Sequence, residues 1–156
     1  MARFPTEVER SITVHAPMGK VYDYLWDVVG SSNCIPGLAS CKAAAKDTYR
    51  FVYQERTTGP FTLSLQYTAR YEGNGKDRIT FESIAAKNDN GDCKGLLRLQ
   101  AAGRDATKIT LQQMIAPDTP VPRLLQGLIR SFVETEAADG AKQYLANVKR
   151  ALEDEA

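Results

Sequence analysis

Residues 123–154, RLLQGLIRSFVETEAADGAKQYLANVKRALED, decide the fold. In this stretch Leu125, Leu128, Ile129, Phe132, Val133, Tyr144, Leu145, Val148 and Leu152 recur at steps of three, four and seven, the period of one helix face. At about 1.5 Å per residue the helix runs for about 45 Å, longer than is needed to cover a strand. Gly140 lies near its middle, where glycine costs up to about 1 kcal/mol against alanine, and marks a place for a bend. Pro117, Pro120 and Pro122 form a stiff lead into it. Such a helix laid against a sheet with an apolar inner face can enclose a cavity.

Upstream, the pattern is that of strands. Val8 to His15 alternates, with Val8, Arg10, Ile12 and Val14 on one face. Pro17 then suits the first turn of a helix, where its missing N–H has no partner to lose, and Val21, Tyr24, Leu25 and Val28 follow at helical spacing until Gly30. Ser31 to Leu38, with Ile35-Pro36-Gly37, reads as an irregular or short helical turn. Six strands are predicted next: Ala39 to Lys46, Tyr49 to Thr57, Phe61 to Tyr71, Arg78 to Ala86, Cys93 to Ala102 and Lys108 to Ile115. The turns between them are Lys46-Asp47, Thr58-Gly59-Pro60, Gly73 to Asp77, Asn88 to Gly91 and Gly103-Arg104-Asp105, all short enough for antiparallel hairpins. The order of elements predicts an α+β fold in one domain spanning 1–156.

Composition excludes several function classes. The 156 residues are 43% hydrophobic and 25% charged, enough for one real core. Twenty basic and nineteen acidic residues, spread along the chain, argue against a nucleic-acid partner. No apolar run approaches the roughly 20 residues of an integral membrane segment, and the first residues lack the apolar stretch of a signal peptide, so a cytoplasmic location is expected. Cys34, Cys41 and Cys93 fit neither a disulfide framework nor a zinc pair and read as buried or half-buried free thiols. His15 is the one histidine, placed opposite the apolar face of its strand and just before the helix. There is no Gly-x-Ser-x-Gly nucleophile motif, and Gly73-Asn74-Gly75 is a hairpin tip with no helix after it to hold a phosphate. No metal, nucleotide or other cofactor is expected.

Ser11-Ile12-Thr13-Val14-His15-Ala16-Pro17 running into Val21-Tyr22-Asp23-Tyr24-Leu25-Trp26-Asp27, then Cys34-Ile35-Pro36-Gly37-Leu38, together with Gly95, Thr107-Lys108-Ile109-Thr110-Leu111 and the C-terminal helix, resemble the START-like or SRPBCC superfamily. The Ile-Pro-Gly turn after an aspartate-ended helix looks most like the bacterial branch of small proteins associated with carbon monoxide dehydrogenase. The resemblance implies a helix-grip (Bet v 1-like) fold, a curved seven-stranded antiparallel sheet gripping the last helix around a hydrophobic cavity. Members use that cavity for sterols, phospholipids, polyketides, quinones and plant hormones, so the fold leaves the function open.

Alternation names the residues that would line such a cavity. Phe61, Leu63, Leu65, Tyr67 and Ala69 share one strand face; Ile79 and Phe81, Leu97 and Leu99, and Ile109 and Leu111 offer others. Leu125, Ile129, Phe132 and Glu136 point the same way from the helix. From this set Tyr67, Phe81, Leu97, Leu99, Gln113, Ile129 and Phe132 are expected to bind the ligand, with Tyr67 and Gln113 as its polar contacts. Tyr53 and Glu136 are further polar candidates. Tyr22 and Trp26, four apart, share a helix face and are expected to pack under the Ile35 to Leu38 turn, the alternative being that they guard a cavity mouth. Three readings of function result: binding or transport of a small hydrophobic molecule such as a lipid, quinone or polyketide; an enzyme of the polyketide cyclase or dehydrase type; and an interaction module that docks on a protein partner or a second copy.

Overall fold

The computed structural model describes residues 2–58, 61–119 and 121–154. Among these residues ten strands are present: β1 (Ala2–Arg3), β2 (Thr6–Val14), β3 (Leu38–Ala45), β4 (Thr48–Tyr53), β5 (Arg56–Thr58), β6 (Phe61–Leu63), β7 (Gln66–Gly73), β8 (Arg78–Ile84), β9 (Gly91–Ala101) and β10 (Thr107–Thr119). The helices are α1 (Met18–Trp26), α2 (Val28–Ser31) and α3 (Gln126–Asp154), the last preceded by a 3-10 turn over Arg123–Leu125. Seven strands form one curved antiparallel sheet in the order β2, β10, β9, β8, β7, β4, β3, while β1 extends the β2 edge along the far end of β10. The long helix α3 packs against this sheet, as in a helix-grip architecture.

The hairpins follow the turn chemistry of the sequence. Asp47, Gly75, Asn88, Gly103 and Asp105 take positive φ at the expected turns, where glycine, asparagine and aspartate are best tolerated. The turn expected at Thr58-Gly59-Pro60 includes positions outside the described residues, as do Pro120 and the side chain of Phe61. Pro117 corrects the expected lead into the helix. It belongs to β10, opposite Gly91, and its carbonyl accepts a bond from the Phe4 N–H at 3.1 Å.

Two predicted strands are broken. The pair expected as Tyr49 to Thr57 and Phe61 to Tyr71 leaves the main sheet after Tyr53 and returns at Gln66, and β5 and β6 form a separate small hairpin. Asn90 holds the chain where β7 begins. Its side chain accepts from the Gln66 N–H at 2.8 Å and donates to the Ser64 carbonyl at 2.8 Å, taking the place of ladder partners. On the other side the Gln54 N–H turns away to the Gly37 carbonyl.

The helix touches down at both ends. Near its start Ile129 and Val133 bury themselves with Phe4, and in its second half Leu145, Val148 and Leu152 join the main core. A fully buried side chain of this kind contributes roughly 1.5–3 kcal/mol. Between the two contacts the inner face of the helix carries the small residues Ala137, Gly140 and Ala141, which border the space beneath the helix.

A Cβ on Gly95 of β9 would collide with the Gln112 carbonyl oxygen of β10 and stand 2.9 Å from the Phe81 ring, so the backbones approach more closely there than a side chain permits. Gly37, by contrast, has φ +75° and open space around its Cα. In urea denaturation, Gly37→Val is expected to lose about 1–3 kcal/mol through backbone strain alone. Gly95→Ala should lose at least as much, because two strands must move apart.

Candidate functional site

Between the concave sheet and α3 lies a cavity of about 450 Å³. Tyr67, Tyr71, Phe81, Leu97 and Leu111 form its sheet wall, and Phe132, Ala137, Gly140, Ala141 and Tyr144 its helix wall. One side is closed by Leu25, Val28 and the Ile35-Pro36-Gly37 turn, another by Leu63, Ser64 and Leu65 where the chain leaves the sheet. The small residues on the helix wall leave part of this space unfilled.

Aromatic rings pave much of the sheet wall. Tyr49, Phe51 and Tyr53 alternate along β4, while Tyr67 and Tyr71 of β7 and Phe81 of β8 continue the surface. Phe51 stacks on Tyr67 at 5.1 Å between centroids, and Tyr71 on Phe81 at 5.4 Å. The Tyr53 and Tyr67 hydroxyls stand 3.4 Å apart. Burial raises the pKa of Tyr53, Tyr67, Tyr71 and Tyr144 above the usual phenol value, so all four hydroxyls stay protonated. Burial likewise pushes the Cys93 thiol up to about 12, against a hydrogen bond from Tyr67 that pulls it down. These groups are neutral donors, not bases.

Charge is confined to the rim. Arg56 from β5 meets Glu136 of α3 through both guanidinium nitrogens, at 3.1 and 3.2 Å. Both side chains are about half exposed, so the pair contributes little to stability and can exchange with water. Asp139 and Gln143 lie on the same edge of the helix.

Of the residues expected from the sequence, Tyr67, Phe81, Leu97, Gln113 and Phe132 stand together on the cavity wall. Leu99 and Ile129 do not. Leu99 lies two positions beyond Leu97 on the same face, opposite Ile109, where it is enclosed in the main core. Ile129 turns to Phe4 and Val133 in the separate cluster under the helix start. Tyr22 and Trp26 stack on each other at 6.2 Å and pack on the β7–β8 turn rather than under Ile35 to Leu38, with the Tyr22 hydroxyl accepting from the Gly75 N–H at 2.9 Å. Glu136 is on the rim, and Tyr53 is inside. His15 is exposed, and its backbone N–H donates to the Glu153 carboxylate.

Sequence reading missed Tyr71, Tyr144, Arg56 and the run of small residues at 137–141. The signals were present as the spacing Tyr67-x-Ala69-x-Tyr71 and as Ala137-Ala138-Asp139-Gly140-Ala141 in mid-helix. Among the described residues no group of three or more His, Cys, Asp or Glu side chains could hold a metal, and no helix is long and apolar enough to cross a membrane.

No family model and no curated sequence matches the chain. Solved structures do. A START superfamily protein from Mycobacterium smegmatis superimposes with a TM-score of 0.72 at 12% identity, covering 96% of this chain and 99% of that one. The chain has a START-like fold. A STAR-related lipid transfer protein fragment from Xanthomonas axonopodis gives 0.66 at 16% identity over 94% of this chain and 85% of that one. The Zhui aromatase/cyclase from a Streptomyces species gives 0.63 at 16% identity, covering 94% of each. START-like architecture therefore accounts for the curved sheet and the long helix laid against it.

The buried phenols and thiol set the alkaline behaviour. Their folded pKa values are raised, so the unfolded chain releases these protons first, beginning near 9 for cysteine and 10 for tyrosine. Stability is fully present below that range and is lost as the pH rises towards about 12. Urea unfolding at stepped pH is expected to show a flat unfolding free energy from neutral pH to about pH 9 and a progressive fall above it.

Proposed function

We propose that this protein binds a small hydrophobic molecule in the cavity between its sheet and α3. The observation that carries the reading is a space of about 450 Å³ with aliphatic and aromatic walls and a few inward hydroxyls. That volume falls within the roughly 300–1,000 Å³ of small-ligand sites, where apolar walls supply affinity and a few polar groups set orientation. Structural likeness to a lipid transfer protein and an aromatase/cyclase supports the same class of ligand. Tyr67, Phe81, Leu97, Gln113 and Phe132 are the proposed ligand contacts from the expected set.

The cyclase or dehydrase alternative needs a proton acceptor facing the substrate. The polar lining groups among the described residues are protonated phenols, serine and threonine hydroxyls and glutamine amides, and the two carboxylates, Glu136 and Asp139, stand at the rim, where Arg56 engages Glu136. Binding is the better supported reading. A docking module is supported less again. Val29, Ile84, Leu124 and Leu128 are the large exposed apolar side chains among the described residues, and two leucines one turn apart fall far short of the roughly 800 Å² per partner of a standard interface.

Gly140 offers a test that leaves the core alone. A Cβ there meets only Pro36 at 4.0 Å across the cavity edge, and a residue other than glycine suits the helix interior. Gly140→Phe is expected to keep or raise the melting temperature while weakening binding of the neutral fluorescent probe N-phenyl-1-naphthylamine by at least about tenfold, because a ring fills the space. A wild-type protein that binds no such probe would overturn the reading.

A further inference from the structure

We propose that the Tyr53 and Tyr67 hydroxyls form a two-donor clamp that selects, among apolar molecules able to enter the cavity, uncharged ones carrying a ketone or phenolic oxygen on a flat ring system. The proposal rests on the cavity being a binding site and names what that site prefers. Its starting point is the distance between the two hydroxyl oxygens. At 3.4 Å they are too far apart for a good O–H···O bond, whose usual length is about 2.7–2.8 Å, yet close enough for one further oxygen to reach both. Neither hydroxyl is well satisfied by the other, and the Tyr67 O–H, which bonds the weakly accepting Cys93 sulfur, gains by turning from it to a ligand oxygen.

The surroundings restrict what that oxygen belongs to. The hydroxyls remain protonated donors because burial opposes their ionisation. The other polar group beside Tyr67 is the Cys93 thiol, itself kept neutral by burial and a weak partner for a phenol. Arg56 is the one cation among the described lining residues, and it is tied to Glu136 at the half-exposed rim. A carboxylate drawn to the clamp would lose its hydration without meeting a positive charge, a cost that a neutral carbonyl avoids. The ring surface of Tyr71 and Phe81, stacked at 5.4 Å, offers a flat apolar face beside the clamp that suits a planar skeleton better than a coiled saturated chain.

Three compounds of one skeleton separate these terms. 2-Acetylnaphthalene carries the ketone, 2-ethylnaphthalene has nearly the same shape without the oxygen, and 2-naphthoate carries the charge. Each is titrated as a competitor of N-phenyl-1-naphthylamine against the wild type, Tyr53→Phe, Tyr67→Phe and the double variant, with Tyr144→Phe as a cavity hydroxyl outside the clamp. In the wild type the naphthoate is expected to compete at least about tenfold more weakly than the ketone. The ratio of ketone to ethyl affinity should fall about fivefold for each clamp hydroxyl removed, the worth of one net hydrogen bond, and stay unchanged in Tyr144→Phe. Using the ratio cancels the greater hydrophobicity of the ethyl compound.

An unchanged ratio in the clamp variants, or naphthoate competing as well as the ketone, overturns the clamp while leaving the cavity reading intact. Failure of the wild type to bind the probe at all removes the cavity reading instead. Should the double variant not fold, the Tyr53→Phe ratio alone decides, since Tyr53 lies at the end of its strand and is less enclosed than Tyr67.

Discussion

The constraint on which the molecule depends is the close passage of two strands at Gly95. Where β9 meets β10 at this level, the Gln112 carbonyl occupies the place a side chain would take, and the Phe81 ring lies over the gap. The sheet is concave, and glycine at this position lets β9 and β10 pass this closely beneath the Phe81 ring. A long helix cannot follow a concave surface along its whole length. It touches at Ile129 and Val133 against Phe4, touches again from Ala141 through Leu145, Val148 and Leu152, and spans the interval with the small residues Ala137 and Gly140 beside the space. The cavity is the geometric remainder of a curved sheet and a stiff rod.

Stability and openness are therefore assigned to different parts of the same elements. The ends of α3 supply apolar burial, and hydrogen bonds at its second half hold the geometry, with Asn147 donating to the Cys34 carbonyl and Lys149 to the Thr13 carbonyl. At the other side of the core the buried Thr107 hydroxyl donates to the Ala16 carbonyl and ties β10 to the start of α1. The middle is left to rings and hydroxyls that line the space without closing it. A molecule seated there adds apolar contact where the protein makes little of its own, which binds ligand and folded state together.

Much of this was legible in the sequence, and the rest was hidden for definite reasons. The period of Leu145, Val148 and Leu152 and the turn residues Asp47, Gly75 and Gly103 act locally, so the helix and hairpins could be read directly. The split of the β4–β7 hairpin could not, because the bonds that mark its two ends join distant residues, Gln66 to Asn90 and Gln54 to Gly37. Leu97 and Leu99 look alike in alternation, yet one faces the cavity and the other the core, since only their position along a bent strand separates them. Ile129 fails in the same way: its helix face was right, but Phe4, at the opposite end of the chain, fills the space it points into. Alternation identifies a face. It does not say whether another residue already occupies the volume opposite.

The central claim is that this volume stays open in the folded protein, and xenon-pressurised crystals test it most directly. Xenon enters dry apolar cavities and marks their position in electron density. The account predicts xenon density enclosed by Phe81, Leu97, Leu111 and Phe132, with α3 unmoved above it. A crystal in which α3 has settled onto the sheet, with these side chains in mutual contact and no xenon between them, would contradict it.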